Sequence, residues 1–317
     1  MTRYVLRRLV ATAAAVVVTS MILFAVLRIL PGDPIMVLVG ESQTDVSPDV
    51  VKRLRAEHGL DKPLYVQYAA WASRLLTGDL GRSIRNRQPV RDVLVPRVWP
   101  TVQIGLLAAV IAIVIALPVG VLSAVRPNSW KDWCGTIGAL IGAAMPFFLL
   151  GGVLIYVVAV RLRWLPASGY VSPWVDPVQS LQRSVMPALT LGLSLAAVTT
   201  RQTRSSLVEV LHQPYVTTAR AKGLTERGVV LGHAMKNALL PIVTTLGVYL
   251  GTVFGGAVIT ETIFAVPGIG RLLVEAILSR DYAVVQAVVL LITVAVILAN
   301  LAVDLLYGYL DPRIRLG

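Results

Sequence analysis

Six long apolar runs divide the chain. Each is uncharged and 17 to 27 residues long, and they cover residues 9–27, 101–125, 134–160, 184–200, 238–260 and 282–303. About 20 apolar residues in a helix are enough to cross the roughly 30 Å hydrocarbon core of a bilayer. The pattern therefore predicts six transmembrane helices, an even number that places both ends of the chain on the same side.

The first run also invites comparison with a secretory signal peptide. It follows a short basic stretch, but it is 19 residues long and leads into Arg28 and a Pro-Gly-Asp-Pro sequence. Signal peptides have apolar regions of about 7–15 residues and end in a small-x-small cleavage site. The sequence therefore favours a first transmembrane helix that is retained.

One long polar segment, residues 31–98, separates the first two runs. It contains ten Lys or Arg and eight Asp or Glu residues, and its composition predicts helices at 48–58 and 63–76. Because long loops cross the membrane largely regardless of their charge, we expect this segment on the outer side.

The basic residues are distributed unequally between the two sides. The N-terminus, residues 126–133, residues 201–237 and the C-terminus together contain 13 Lys or Arg residues, whereas the loops 161–183 and 263–281 contain five. Lysine and arginine accumulate in the cytoplasmic loops of membrane proteins. We therefore expect both termini and residues 201–237 in the cytoplasm.

Composition narrows the possible functions further. The 317 residues are 56% hydrophobic, with a mean hydropathy of +0.74 and a net charge of +12. The basic residues form no aromatic-interleaved face of the kind that binds nucleic acid. The single cysteine, Cys134, can form no internal disulfide, and the three histidines lack metal-ligand spacing. No lysine follows a glycine, so an ATP-binding G-K-[ST] element is absent, and ATP would have to bind to another chain.

A polar and basic loop, residues 215–241, lies between the fourth and fifth runs. Helix formers precede Gly223, and glycine takes the left-handed conformation at a helix C-terminus without strain. Thr225 can then cap a second helix through Ala234, which would return the chain to the bilayer before Pro241. The pattern is compatible with a rigid pair of short helices that another protein could bind, and also with a solvated loop.

Within this loop, TTARAKGL at 217–224 and HAMKNALLP at 233–241 are similar to the coupling loop of ABC importer inner-membrane subunits. The resemblance is to the form found in the dipeptide/oligopeptide/nickel permease family. The usual Glu-Ala-Ala triplet of this loop is replaced here by residues 217–219, so its acidic residue is missing, and Gly223 occupies the position of its glycine. Similar blocks also occur at residues 30–34, 59–83, 261–272 and 300–315.

The resemblance implies an all-α integral membrane protein with six transmembrane helices of the type I ABC importer permease kind. A long periplasmic insertion would follow the first helix, so that residues 1–98 hold this helix and the insertion. Residues 99–317 would form the transmembrane domain, with five helices and the coupling loop at 215–241. The chain would be a multi-pass permease subunit of a binding-protein-dependent importer in a bacterial inner membrane, translocating peptides or related small solutes.

The resemblance also implies partners. They are a second homologous permease subunit in a pseudo-dimer, two cytosolic ATP-binding subunits, and a periplasmic or lipid-anchored solute-binding protein that docks on the polar outer segment. ATP and Mg²⁺ would bind to the ATP-binding subunits, and this chain would hold no cofactor, metal or catalytic residue. The contact with the ATPase would be made by Thr217, Thr218, Ala219, Arg220, Ala221, Lys222, Gly223, His233, Asn237 and Pro241.

The basic side chains of this loop have two possible roles. Arg220, Lys222 and His233 could hold the topology through their charge alone, or they could contact a polar groove of the ATPase with fixed geometry. Arg204 lies outside the loop, and we expect its replacement by lysine to have little effect.

Small residues and prolines recur inside the runs. Glycines four residues apart, which allow close helix packing in lipid, occur at Gly138, Gly142, Gly247, Gly251 and Gly255. They could pack within the chain or against a partner. Pro118 and Pro146 are expected to kink the second and third helices.

Two features flank the last run. Residues 271–277 predict an amphipathic helix at the outer membrane interface, with an apolar face of Leu272, Leu273, Ala276 and Ile277 opposite Arg271 and Glu275. Asp304 directly follows the last run and is either a structural contact near Arg313 and Arg315 or a proton or cation site.

Two other functions compete with an importer subunit. An ion-coupled secondary transporter requires polar groups near the bilayer midplane, for which Asp304 is an off-centre candidate. A membrane enzyme requires a catalytic set, but the runs contain no Ser/His pair, HExxH motif or Asp pair. The solute is not identified, because peptide, glutathione and nickel-chelate permeases resemble one another here.

Overall fold

The computed structural model describes residues 2–29, 53, 56 and 61–310. Within them the chain forms α1 (Thr2–Ile29), α2 (Leu64–Leu76), α3 (Val90–Val125), α4 (Trp130–Ala144), α5 (Phe147–Leu154), α6 (Pro177–Leu211), α7 (Pro214–Ala221), α8 (Met235–Ile263), α9 (Ile269–Leu278) and α10 (Tyr282–Leu310). A π-helical segment follows α5 (Ile155–Arg161), and another precedes α8 (Gly228–Ala234). Apart from an isolated bridge between Arg82 and Pro89, these described residues contain no β-structure.

Five of the described helices are long and apolar enough to cross a membrane. They are α1, α3, α6, α10 and the helix that begins with the π-helical segment before α8. A sixth crossing results if α4 and α5, with the π-helical continuation of α5, form one broken span. The predicted all-α membrane fold is confirmed, and the third predicted crossing corresponds to this broken pair.

The third apolar run is not one straight helix. The axis of α4 and the axis of the helix that begins with α5 differ by 104°. Met145 and Pro146 between them are extended, with ψ angles of 120° and 142°. A proline disfavours the helical conformation of the residue before it and has no N–H to donate. The expected kink at Pro146 is therefore a complete break, whereas Pro118 lies inside the continuous helix α3.

Helix α3 begins well before the second apolar run. It starts at Val90, so the predicted domain boundary between residues 98 and 99 falls inside a helix. Val90 and Leu94 are buried in a cluster with residues of α9 and α10, including Leu272 and Val288. An apolar run marks only the part of a helix that lies in lipid, and these first turns are held instead by packing against other helices.

The polar segment contains one helix that the structure describes well. The helix predicted at 63–76 is observed as α2, and the one predicted at 48–58 lies almost wholly outside the described residues. The rings of Tyr68 and Trp71 on α2 lie 5.7 Å from the ring of Phe24 on α1. The segment is therefore attached to the first transmembrane helix.

The glycine pairs pack mainly inside the chain. Gly142 lies against Ala197 of α6, and Gly247 and Gly251 lie against Val303 and Val296 of α10, so a Cβ at any of the three would contact a neighbouring helix. Gly138 and Gly255 are different, because a Cβ there would have no neighbour within 4 Å. Gly142, Gly247 and Gly251 therefore allow helices of this bundle to pack closely against one another.

Helix α9 is capped by a buried carboxylate. Glu261 near the end of α8 accepts hydrogen bonds from the Thr101 hydroxyl at 2.5 Å and from the Arg271 N–H at 2.9 Å. Thr101 in turn accepts the Ile269 N–H at 2.8 Å. These contacts satisfy N–H groups that the first turn of a helix leaves without partners, and Gly268 leaves room for the carboxylate.

The apolar face of α9 is consequently turned inward. Leu272 and Ala276 are buried against α3 and α10, whereas Ile277 is exposed. The helix predicted at 271–277 is present. Its apolar side packs on other helices of the chain and not on the membrane interface, and Ile277 does not belong to the buried side. The reason is that the Glu261 cap ties the start of α9 to α3.

Asp304 forms an ion pair that joins the first and last helices. Its carboxylate lies 2.8 Å from Arg8 of α1. Arg313 and Arg315, the neighbours expected from the sequence, lie outside the described residues. The pairing supports a structural role for Asp304.

Candidate functional site

The 215–241 loop begins as a short helix that ends in a glycine turn. Gly223 follows α7 with a φ of +79°, the left-handed conformation that the sequence predicts. Its N–H donates to the carbonyl of Arg220 at 2.9 Å, and the Leu224 N–H donates to the carbonyl of Ala219 at 3.4 Å. These bonds satisfy carbonyl groups that the end of a helix leaves free.

The second half of the loop is not a separate short helix. The Thr225 hydroxyl accepts the Gly228 N–H at 3.3 Å, as expected for a cap, and the chain then runs through the π-helical segment into α8. Pro241 lies inside α8 and does not end it. The prediction of a second short helix before Pro241 was wrong, because a membrane helix can continue past a proline whose missing hydrogen bond is compensated nearby.

Apolar packing fixes the loop to the ends of α3 and α6. The cluster comprises Ala124, Leu207, Leu211, Val216, Ala219, Val229, Val230, Ala234 and Ala238. Val216 and Val229 are fully buried, and burying one such side chain contributes about 1.5–3 kcal/mol. The loop is therefore a packed part of the bundle rather than a solvated connection.

Two polar contacts join the two sides of the glycine turn. The Arg220 guanidinium donates to both carboxylate oxygens of Glu226, at 2.9 and 3.4 Å. The side-chain amide of Asn237 donates to the hydroxyl of Tyr215 at 2.6 Å. An ion pair as exposed as Arg220–Glu226 contributes only about 0–1 kcal/mol. Apolar packing therefore contributes most to holding the loop in place, and the two polar contacts add a small further stabilisation of its conformation.

The structure brings the predicted contact residues together at the loop and the first turns of α8. Ala219 is buried, so it supports the loop from inside. The other nine are exposed: Thr217, Thr218, Arg220, Ala221, Lys222, Gly223, His233, Asn237 and Pro241. The sequence analysis did not include Tyr215 and Glu226 in the site. The Arg220–Glu226 pair could have been predicted, because a cation and an acid lie on either side of the glycine turn.

The exposed face of the loop is basic with apolar patches. Lys222, Arg227 and Lys236 are exposed cations, while Glu226 is engaged by Arg220. Leu224 and Leu231 are 43% and 61% exposed. Exposed apolar side chains beside polar and charged ones are compatible with the apolar core and polar rim of a protein interface.

The described residues contain no cluster of three or more His, Cys, Asp or Glu side chains that could hold a metal ion.

Comparison with known proteins identifies related chains along the whole sequence. The family described as "Binding-protein-dependent transport system inner membrane component" matches residues 116–316, and its N-terminal companion matches residues 1–105. The dipeptide transport system permease protein DppB of Escherichia coli strain K12 is 41% identical over 99% of both chains. The glutathione transport system permease protein GsiC of the same strain is 39% identical over 99% of both chains.

A solved structure supports the fold independently. An inward-facing structure of the MetNI methionine ABC transporter contains a chain that aligns with a TM-score of 0.58 and 21% identity. The alignment covers 69% of this chain and 96% of that one. The bundle described above therefore has the fold of a type I ABC permease.

The glycine turn gives a structural prediction. Gly223→Val places a β-branched residue in the left-handed region, which costs about 1–2 kcal/mol and should raise local opening about five- to thirty-fold. Trypsin cleavage after Arg220 and Lys222 in the solubilised protein should accelerate accordingly. Gly232→Val is the control, since Gly232 is exposed, has no positive φ, and has no atom within 4 Å of a Cβ. Equal cleavage of the two variants would contradict the prediction.

Proposed function

This chain belongs to the family of binding-protein-dependent transport system inner membrane components, and on that premise we propose that it imports short peptides. It is a membrane-spanning permease subunit of an ABC importer in a bacterial inner membrane. The observation that carries the peptide proposal is the 41% identity to a dipeptide permease over 99% of both chains. Glutathione, the solute named for GsiC, is itself a tripeptide.

The chemistry of ATP is assigned to other chains. No lysine of this chain follows a glycine, so it lacks the G-K-[ST] element that contacts phosphates and Mg²⁺. We therefore place ATP and Mg²⁺ on two cytosolic ATP-binding subunits, and no catalytic residue on this chain. The remaining partners are a second homologous permease subunit and a periplasmic or lipid-anchored solute-binding protein.

The 215–241 loop is the proposed contact with an ATP-binding subunit. Its buried face packs against Leu207 and Leu211 of α6, and its exposed face carries Thr218, Ala221 and Lys222. A force applied to the exposed face reaches α6 directly, because the packed cluster cannot deform without losing contacts. ATP-driven closure of the partners would then move the membrane helices, provided the contacts at this loop differ between the two states.

The ion-coupled alternative has little support. Asp304, its candidate site, is engaged by Arg8 at 2.8 Å. An ion pair between the first and last helices is a sufficient reason for an acid at this position.

The proposed function predicts ATP-dependent peptide uptake. The chain, reconstituted in liposomes with its partner permease, ATP-binding subunits and solute-binding protein, should accumulate di- or tripeptides, and the peptides should stimulate ATP hydrolysis. The chain alone should hydrolyse no ATP. Uptake driven by a proton gradient without ATP, or a complex that no short peptide stimulates, would contradict the proposal.

The proposed orientation places both termini in the cytoplasm and residues 31–98 outside. Thr77 and Ser205 are exposed, and each can be replaced by cysteine in a Cys134→Ala background. The Thr77→Cys variant should react with an impermeant maleimide in spheroplasts, and the Ser205→Cys variant only after permeabilisation. The reverse order of labelling would overturn the topology.

The role of Arg220 can be separated from its pairing with Glu226. Glu226→Gln weakens the internal ion pair but leaves the Arg220 guanidinium free to bind, whereas Arg220→Lys removes its fork of donors while keeping the charge. If Arg220 contacts the ATPase, Arg220→Lys should lower peptide-stimulated ATP hydrolysis of the complex several-fold, and Glu226→Gln should lower it less. Equal losses of ATP hydrolysis in the two variants would mean that Arg220 stabilises the loop through Glu226 and does not contact the ATPase.

A further inference from the structure

A second ion pair lies close to the loop but outside it. Arg204 on α6 donates from Nε to Oδ1 of Asp132 at 2.6 Å and from Nη2 to Oδ2 at 2.8 Å. The Asp132 side chain is 6% exposed and that of Arg204 is 34% exposed. Two parallel charge-assisted bonds with little solvent around the carboxylate form a directional link. Arg204, which the sequence suggested as a neutral position, is therefore unsuitable as a control.

Asp132 has further partners that hold it in place at the start of α4. Oδ2 accepts the Asn128 N–H at 2.9 Å, and Oδ1 accepts the Thr136 hydroxyl at 3.3 Å. The carboxylate thereby closes the short turn between α3 and α4 and lies at a helix N-terminus, where negative charge is favoured. A displacement of Asp132 would therefore displace the whole first turn of α4.

Arg204 is carried by the same rigid helix that supports the loop. Leu207 and Leu211 follow it on α6 and are buried in the cluster with Val216 and Val230. Seven residues separate Arg204 from Leu211, or about 10 Å along a helix axis. Movement of the loop is therefore also movement of Arg204.

Helix α4 is otherwise attached by close packing of small residues, with Gly135 against Ser123 of α3 and Gly142 against Ala197 of α6. Within Trp130–Ala144, which the structure describes in full, only Asp132 and Ala139 are buried. An apolar pocket of about 390 Å³, lined by Val119, Gly138 and Leu193 among others, opens between α4, α3 and α6. The far end of α4 meets the break at Pro146. Among the polar contacts of α4, the Asp132–Arg204 ion pair is therefore the one that joins its first turn to α6.

We propose that the Arg204–Asp132 ion pair makes α4 follow the movement of α6 and the 215–241 loop, so that ATP-driven closure of the partners also displaces the third membrane segment. Both are positioning residues, and the inference rests on the function proposed above. The ion pair would therefore influence how much peptide is imported for each ATP hydrolysed.

The test uses the complete reconstituted complex. Asp132→Ala and Arg204→Ala should each lower the ratio of peptide imported to ATP hydrolysed several-fold, while ATP hydrolysis continues. The double variant should be no worse than either single variant, because both remove the same link. Arg8→Ala is the matched control: it breaks another ion pair between helices, Arg8–Asp304, and should leave the ratio unchanged.

Each outcome bears on a defined part of the account. Single variants with the wild-type ratio, or a double variant whose loss is the product of the two single losses, would overturn the inference. Should an alanine variant fail to assemble, Arg204→Lys decides, since it keeps the charge but loses the fork: a lowered ratio supports the inference, and a wild-type ratio overturns it. A wild-type complex without peptide-stimulated hydrolysis would instead contradict the proposed function.

Discussion

The apolar contact between the 215–241 loop and the ends of α3 and α6 is the interaction on which the rest of the account depends. Val216 and Val229 are fully buried there, and together they contribute several times what the exposed Arg220–Glu226 pair can supply. Because the loop is packed rather than tethered, its exposed face keeps a fixed position relative to the membrane helices. A partner that moves this face must move the bundle.

Carboxylates at helix starts organise other parts of the same bundle. Glu261 accepts the Arg271 N–H at the start of α9, and Asp132 in the first turn of α4 joins this helix to the turn before it. Asp281 accepts the N–H groups of Ile84 and Val284 at 3.2 and 3.4 Å and a hydrogen bond from the Ser83 hydroxyl, so it joins the polar segment to the start of α10. Glu261 and Asp281 each accept an N–H that the first turn of a helix leaves unpaired, and Asp132 accepts the Asn128 N–H of the turn before α4. These acids thereby fix the starts of α4, α9 and α10 relative to the neighbouring chain.

The sequence predicted what depends on local pattern. Apolar runs of sufficient length marked the crossings, and the Gly223 turn followed from the need for a left-handed residue at a helix end. The 104° break at Pro146 exceeded the expected kink, since a proline shows where a helix is weakened but not how its neighbours bend it. The Arg204–Asp132 pair was missed because its partners lie 72 residues apart and no periodicity relates them. Residue-level contacts with the partner subunits remain a prediction.

The most direct test is whether assembly covers the exposed face of α7. Ala221→Cys, in a Cys134→Ala background, would be treated with a maleimide in the permease alone and in the complex with its ATP-binding subunits. Lys131→Cys, at an exposed residue of α4, is the control. The account predicts rapid labelling of Ala221→Cys in the permease alone, strong protection in the complex, and equal labelling of the control in both. Equal labelling of Ala221→Cys with and without the ATP-binding subunits would contradict the account.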